Sequence, residues 1–294
     1  MSVVLITTSA HRRKANKMGT LDVTGVTTPS ITQNGRYEPF EVQVARNQIT
    51  GHTSRFRFGW ANNIGTTPQT ITTIVAAGAT YVYPASATAM KVSSSSANDA
   101  SPSGTGARTM LLIGLDANYN EVSEIITLNG QTAATTVNSY LRILYSEILS
   151  VGSNAGQVGT IYVGTGTVTS GVPATVYWQS EPTYNNFSFA GSTVPAGYTA
   201  YVTSYTITSQ STTALINVSL GLAIYEYNNG FAELQSTARL SSNGSFDRHF
   251  DFPFAIGEKS DFQLRAWATT GSAVNVTGEI QYVLIKNSGA NGTV

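Results

Sequence analysis

From Phe40 onward the chain alternates apolar and polar residues with a period of two, the spacing that sends successive side chains to opposite faces of a β-strand. In "SRFRFGW", residues 54–60, this sets Phe56, Phe58 and Trp60 on one face and Arg55 and Arg57 on the other, and the aromatic face is expected to line a core. "RTMLLIGL", "EIITL", "YLRILYSEIL" and "GTIYVG" continue the texture between Gly, Asn and Ser clusters, with further strands expected in 69–75 and 80–92 around Pro84. Only 139–149 also suits a helix, because Tyr140, Ile143, Leu144 and Ile148 fall at i, i+3, i+4 spacing. After "TSGVPATVYWQSEPTYNN" the strands lengthen: "TAYVTSYTITS", then "ALINVSLGLAIYEYNNGF" with its Asn-Asn-Gly turn, then "SSNGSFDRHFDFPF", "DFQLRAWAT" and "NVTGEIQYVLIKN".

Strands at 8–15-residue intervals with turn chemistry between them predict an all-β chain of antiparallel, jelly-roll-like β-sandwiches. Residues 1–40 lack this patterning and read as an extended N-terminal arm, with a disordered basic terminus as the alternative. The Pro-punctuated break places a boundary near 180, which gives an arm (1–40), a first sandwich (41–180) and a second (181–294).

Composition changes the picture in one respect. Only 11% of the 294 residues are charged, so the surface is expected to be covered largely by neighbours, as in a subunit of an assembly. The absence of cysteine removes disulfide frameworks and thiolate metal sites. No apolar run approaches the roughly 20 residues of a membrane helix, and the start "MSVVLITTSAHRRKANK" has its apolar run before its basic cluster, the reverse of a secretory signal. Synthesis in the cytoplasm without an export signal is expected.

The acidic stretch "IGLDANYNEVSEIITLNGQTAATT", residues 113–136, is the densest candidate for chemistry. Asp116, Asn118 and Asn120 match the opening of a calcium loop, but Glu121 stands where the loop needs Gly and Thr127 where it needs a bidentate Glu. A hairpin tip with Asx-turn chemistry fits better. Glu121 and Glu124 supply two carboxylates for a glycosidase only formally, since three residues apart on a strand they face opposite ways. His11, His52 and His249 fall in three segments, and no nucleophile elbow, zinc helix or phosphate loop is present. No catalytic, cofactor-binding or metal-binding residue is assigned. The Ser and Gly-rich run at 93–108 reads as a mobile surface loop, with a grip on a partner as the alternative. The 15 tyrosines suit either a sugar-stacking platform or strands at an interface. The arm's Arg12, Arg13, Lys14 and Lys17 are the candidate partner-binding residues, suited to neutralising phosphates or the acidic side chains of a partner protein. Nucleic acid is not an expected partner, because no aromatics are interleaved with the basic residues.

"GTGARTMLLIGLDANYNEVSEIITLNGQTAATT" followed by "YLRILYSEILSVGSNAGQVGTIYVG" resembles a module of virion structural proteins of tailed bacteriophages, marine and cyanobacterial ones especially. "FEVQVARNQITGHTSRFRFGWANNIGT" fits the same module, and "STVPAGYTAYV" with "GEKSDFQLRAWA" looks like its companion β-domain, so the resemblance spans roughly residues 40–287. It implies a non-enzymatic virion protein of the capsid decoration, head-fibre or collar-adaptor kind. Such a protein would be located in the virion, with itself (as a homo-oligomer, a trimer favoured) and the major capsid protein or portal and neck proteins as partners. A tail-fibre or receptor-binding protein, and from another class a glycan-binding lectin or carbohydrate-active enzyme, are the alternatives.

Overall fold

The computed structural model describes residues 38–182, 185–211, 216–241, 243–270 and 274–287. Arg12, Arg13, Lys14, Lys17 and nearly all of the expected arm lie outside the described residues. The chain divides into two units, Met1–His52 and Thr53–Val294. The described part of the first contains a short helix, α1 (Phe40–Ala45). The alternation of "FEVQVA" predicts a strand there, and the correction has a local cause. The Pro39 carbonyl accepts the backbone amides of Val42 and Gln43, the Gln43 side-chain amide donates from Nε2 to the Glu38 carbonyl at 2.7 Å, and Arg46 pairs with the Glu38 carboxylate. Six residues are too few for period two and period 3.6 to be told apart by polarity alone.

The remaining described elements are strands: β1 (His52–Ala61), β2 (Gln69–Thr70), β3 (Thr88–Ser94), β4 (Ala107–Leu115), β5 (Glu121–Thr127), β6 (Ala134–Tyr140), β7 (Arg142–Val151), β8 (Ile161–Thr169), β9 (Val172–Glu181), β10 (Asn186–Phe187), β11 (Gly191–Thr193), β12 (Tyr198–Ser211), β13 (Val218–Tyr225), β14 (Glu233–Leu240), β15 (Asn243–Ile256), β16 (Asp261–Ala268) and β17 (Val274–Lys286). They form four sheets, and the fold is all-β and antiparallel, as the alternation predicts. The helical alternative at 139–149 is not adopted, since β7 pairs along its length with β4.

The sheet β1-β17-β12-β15 faces the sheet β11-β16-β13-β14, to which β2 adds at β16. Between them lies a core that includes Tyr205, Ile207, Leu220, Leu222, Phe262 and Ile280. The sheets β10-β9-β8-β3-β6 and β5-β4-β7 enclose a second core around Met90, Met110, Leu112, Tyr140, Ile161 and Trp178. This second core draws on residues 81–189, whereas the first draws on residues 190–284 together with Ala61, Ile64 and Ile71. Residue 180 falls inside β9, and β1 and β2 sit in sheets with strands from the C-terminal part of the chain.

The face assignment within β1 is reversed relative to the sequence expectation. Gly59 and Ala61 are buried, Phe58 and Trp60 are half-buried and Phe56 is 45% exposed. A Cβ on Gly59 would stand 2.4 Å from the Ile71 carbonyl oxygen and 2.6 Å from the Ala190 nitrogen, so neighbouring backbone occupies the place a large side chain would need. The small pair therefore sets which face turns inward, and the three aromatics stack along the other, with ring centroids 5.9 and 6.1 Å apart. In β15, residues 250–253 stand opposite the single residue Thr203 of β12, and this bulge leaves Phe252 90% exposed while Phe246, Phe250 and Phe254 pack on the core.

Candidate functional site

The acidic stretch forms the tip between β4 and β5. Asp116 Oδ1 accepts the amides of Asn118 (2.8 Å) and Asn120 (2.9 Å), Oδ2 accepts the Asn120 side-chain amide (3.2 Å), and the Asp116 amide closes the turn on the Asn120 carbonyl at 3.0 Å. Tyr119 takes the left-handed conformation at φ +66°. This is the Asx-turn arrangement that the spacing suggested. Slight burial pushes the Asp116 carboxyl up, but the bonds from Asn120 and Asn118 outweigh it and hold the pKa below its ordinary 3.8. A depressed carboxyl pKa contributes stability that is complete above the ordinary value and is lost as pH falls through the lower, folded value. Between about pH 5 and pH 2 the melting temperature of the native chain should therefore fall more than that of Asp116→Asn. Parallel melting curves for the two chains would contradict the assignment.

The two glutamates of β5 serve different neighbours. Glu124 Oε2 accepts the Val137 amide (2.9 Å), and Oε1 accepts the Asn138 amide (3.1 Å) and the Tyr140 hydroxyl (2.9 Å), so this carboxylate ties β5 to β6. Burial, with the Glu124 carboxylate adding to it, raises the Tyr140 pKa. Glu121 points instead towards Arg55, with Oε2 3.9 Å from Nη2. His249 is exposed on β15, as its alternation with Phe250 implies. Among the described residues no three His, Asp or Glu side chains are grouped closely enough to hold a metal ion, and no helix is long and apolar enough to cross a membrane.

The Ser and Gly-rich run at 93–108 is organised around one carboxylate. Asp99 is fully buried; its Oδ1 accepts the amides of Ala107 (2.8 Å) and Val158 (2.9 Å), and its Oδ2 accepts the Gly159 amide (2.8 Å) and the Ser94 hydroxyl (2.6 Å). The expectation of a mobile loop is thereby corrected. A Cβ at Gly106 would come within 2.1 Å of Asp99 Oδ1, which explains a glycine beside the carboxylate. The only sequence signal was that Asp99 is the single acid in sixteen residues of Ser, Gly and Ala texture.

A second polar centre joins the two sandwiches. Arg142 of β7 grips Asp261 of β16 with two parallel bonds, Nε to Oδ1 and Nη2 to Oδ2, each 2.9 Å. Nη1 donates to the carbonyls of Leu141 (2.9 Å) and Pro84 (3.3 Å), and the Thr193 hydroxyl donates to Asp261 Oδ1. The guanidinium lies 4.3 Å from the Tyr83 ring centroid and 5.6 Å from that of Tyr119. Burial opposes its charge, but the bonds and charge of Asp261 more than offset this and hold its pKa above the ordinary value. Burial, reinforced by Asp261, pushes the Tyr83 pKa up. Nothing in the sequence pairs Arg142 with Asp261, which are 119 residues apart.

No family model matches the sequence, and no curated protein matches it. Among solved structures the chain is similar to that of the infectious bursal disease virus Gx strain, at 14% identity over 90% of this chain and 80% of that one, with a TM-score of 0.17. It is also similar to the VP2 subviral particle of infectious bursal disease virus, at 13% identity over 86% and 79%, with a TM-score of 0.15. Scores of this size do not establish a shared topology, and the fold stands on its own strand pairing.

Proposed function

We propose that the protein is a non-enzymatic structural subunit of a tailed-bacteriophage virion. The observation that carries this reading is how the most conspicuous polar groups are used. Asp99, Asp116, Glu124, Arg142 and Asp261 each hold strands or turns to one another, and the largest fully buried aromatics, Tyr140, Tyr205 and Phe262, fill cores. Side chains spent on rigidity suit a building block. The low charge of the whole chain suits a surface covered by neighbours.

In the finer reading the subunit sits at the capsid exterior or portal vertex, as a decoration or cement protein. Its β-domains associate into a homo-oligomer, a trimer favoured, and the basic cluster Arg12, Arg13, Lys14 and Lys17 ties it to acidic groups of the major capsid protein or of portal and neck proteins. A tail-fibre or receptor-binding role is the second reading, and the arginine-lined cleft beside β1 is the feature that speaks for it. A chain beginning at Arg36 should fold with an unchanged melting temperature yet fail to enter particles when it replaces the full-length chain. Normal incorporation of the shortened chain would remove the arm from this account, and an electron-density map of particles lacking the subunit altogether would remove the virion itself.

A further inference from the structure

Two clefts meet beside β1. One, of about 240 Å³, is lined by Arg57, Tyr145, Ile113 and Leu144; the other, of about 370 Å³, is lined by Thr53, Asn120 and Tyr198; Arg55 and Glu121 belong to both. The 3.9 Å approach of Arg55 to Glu121 is too long for a hydrogen bond, and a third or more of each side chain is exposed, so neither is used up by the other. Arg57 donates from Nη1 to the Phe56 carbonyl at 2.9 Å, but its Nε–H is buried without an acceptor among the described residues, and its guanidinium stands 5.9 Å from the Tyr145 ring centroid. Turning the guanidinium into the cleft would meet this deficit with water, or with an anion, for which the charged and forked donor set is better matched.

Among the described residues, the clefts thus hold two cations against one carboxylate. A phosphate would bring up to two charges against Glu121, whereas a carboxylate brings one. Glu121, when ionised, only accepts hydrogen bonds, so the group beside the bound anion must donate. Hydroxyls adjacent to a carboxylate, on a ring with an apolar face for Tyr145, are the chemistry of a uronic or sialic acid. We propose that the double cleft binds a carboxylated sugar: Arg55 and Arg57 take the carboxylate, Glu121 with Asn120 and Thr53 takes the hydroxyls, and the ring rests on Tyr145. The site depends on these side chains and not on where the subunit sits in a particle.

The test uses the full chain at low salt, with ligand-observed saturation-transfer NMR and calorimetry, and with glucuronate, N-acetylneuraminate, glucose, acetate, inorganic phosphate and triglutamate as probes. At least one of the two acidic sugars should bind about tenfold more tightly than acetate, with glucose silent; Arg55→Ala and Arg57→Gln should each weaken it by about fivefold or more. Glu121→Gln should strengthen acetate and narrow the preference for the sugar. Equal binding of acetate, phosphate and sugar would reduce the cleft to a weak anion site. Tighter binding of triglutamate would assign it to an acidic protein segment, and either outcome overturns the proposal. So does sugar binding that survives Arg55→Ala, a change at a partly exposed position that decides the matter even if Arg57→Gln impairs folding.

Discussion

Replacing Arg142 with alanine is expected to destabilise the folded chain by about 3–5 kcal/mol, because it leaves the Asp261 carboxylate buried without its cation. The pair is largely buried: the side chains of Arg142 and Asp261 are 11% and 10% exposed, and Tyr83 and Tyr119 pack around the guanidinium. The Pro84 and Leu141 carbonyls lose a donor at the same time. Arg142→Lys should recover little, since a lysine cannot reproduce the two parallel bonds. The paired change Arg142→Met, Asp261→Leu removes both charges and should restore much of the loss, because the desolvation cost disappears with the attraction. Denaturant unfolding measures all three, read as a shift in midpoint at constant slope. A loss under about 1 kcal/mol for Arg142→Ala would mean that water reaches the pair, and a double variant no better than the single one would mean that packing at β7 and β16 is the larger effect.

Asp99→Ala should cost a similar amount, roughly 4 kcal/mol, for a different reason. It leaves three backbone amides, those of Ala107, Val158 and Gly159, and the Ser94 hydroxyl without their acceptor, at about 1–3 kcal/mol for each buried donor before water enters the space. Asp99→Asn preserves the volume but turns a donor towards donors on one side, so it should cost less than alanine while remaining measurably destabilising. Hydrogen exchange adds a local readout: the amides of Ala107, Val158 and Gly159 should lose protection together while the sheet β1-β17-β12-β15 keeps its own. Unchanged protection at these three amides would show that the 93–108 run is held by something other than this carboxylate.

The split between sequence and tertiary structure follows physical lines. Strand identity was readable wherever a run was long enough to repeat its period, as in 107–115, 198–211 and 274–286, because alternation records the environment of each side chain and that environment is local to the sheet. The Asx turn at Asp116 and the Asn-Asn-Gly connection between β13 and β14, with Asn228 and Gly230 both at positive φ, were readable because their hydrogen bonds and dihedrals close within a few residues. By itself, then, the sequence determined an all-β antiparallel chain and the turn chemistry of its hairpins. Which face of β1 turns inward was decided by backbone 12 and 131 residues away, through the Ile71 and Ala190 contacts at Gly59, and polarity alone favoured the aromatics. The place of β1 and β2 in sheets with C-terminal strands, the Arg142–Asp261 pair and the Asp99 centre are likewise contacts between distant segments. A single sequence carries no term for them, because the charge of Asp99 or Arg142 looks the same whether its partner is solvent or a buried group brought there by the fold.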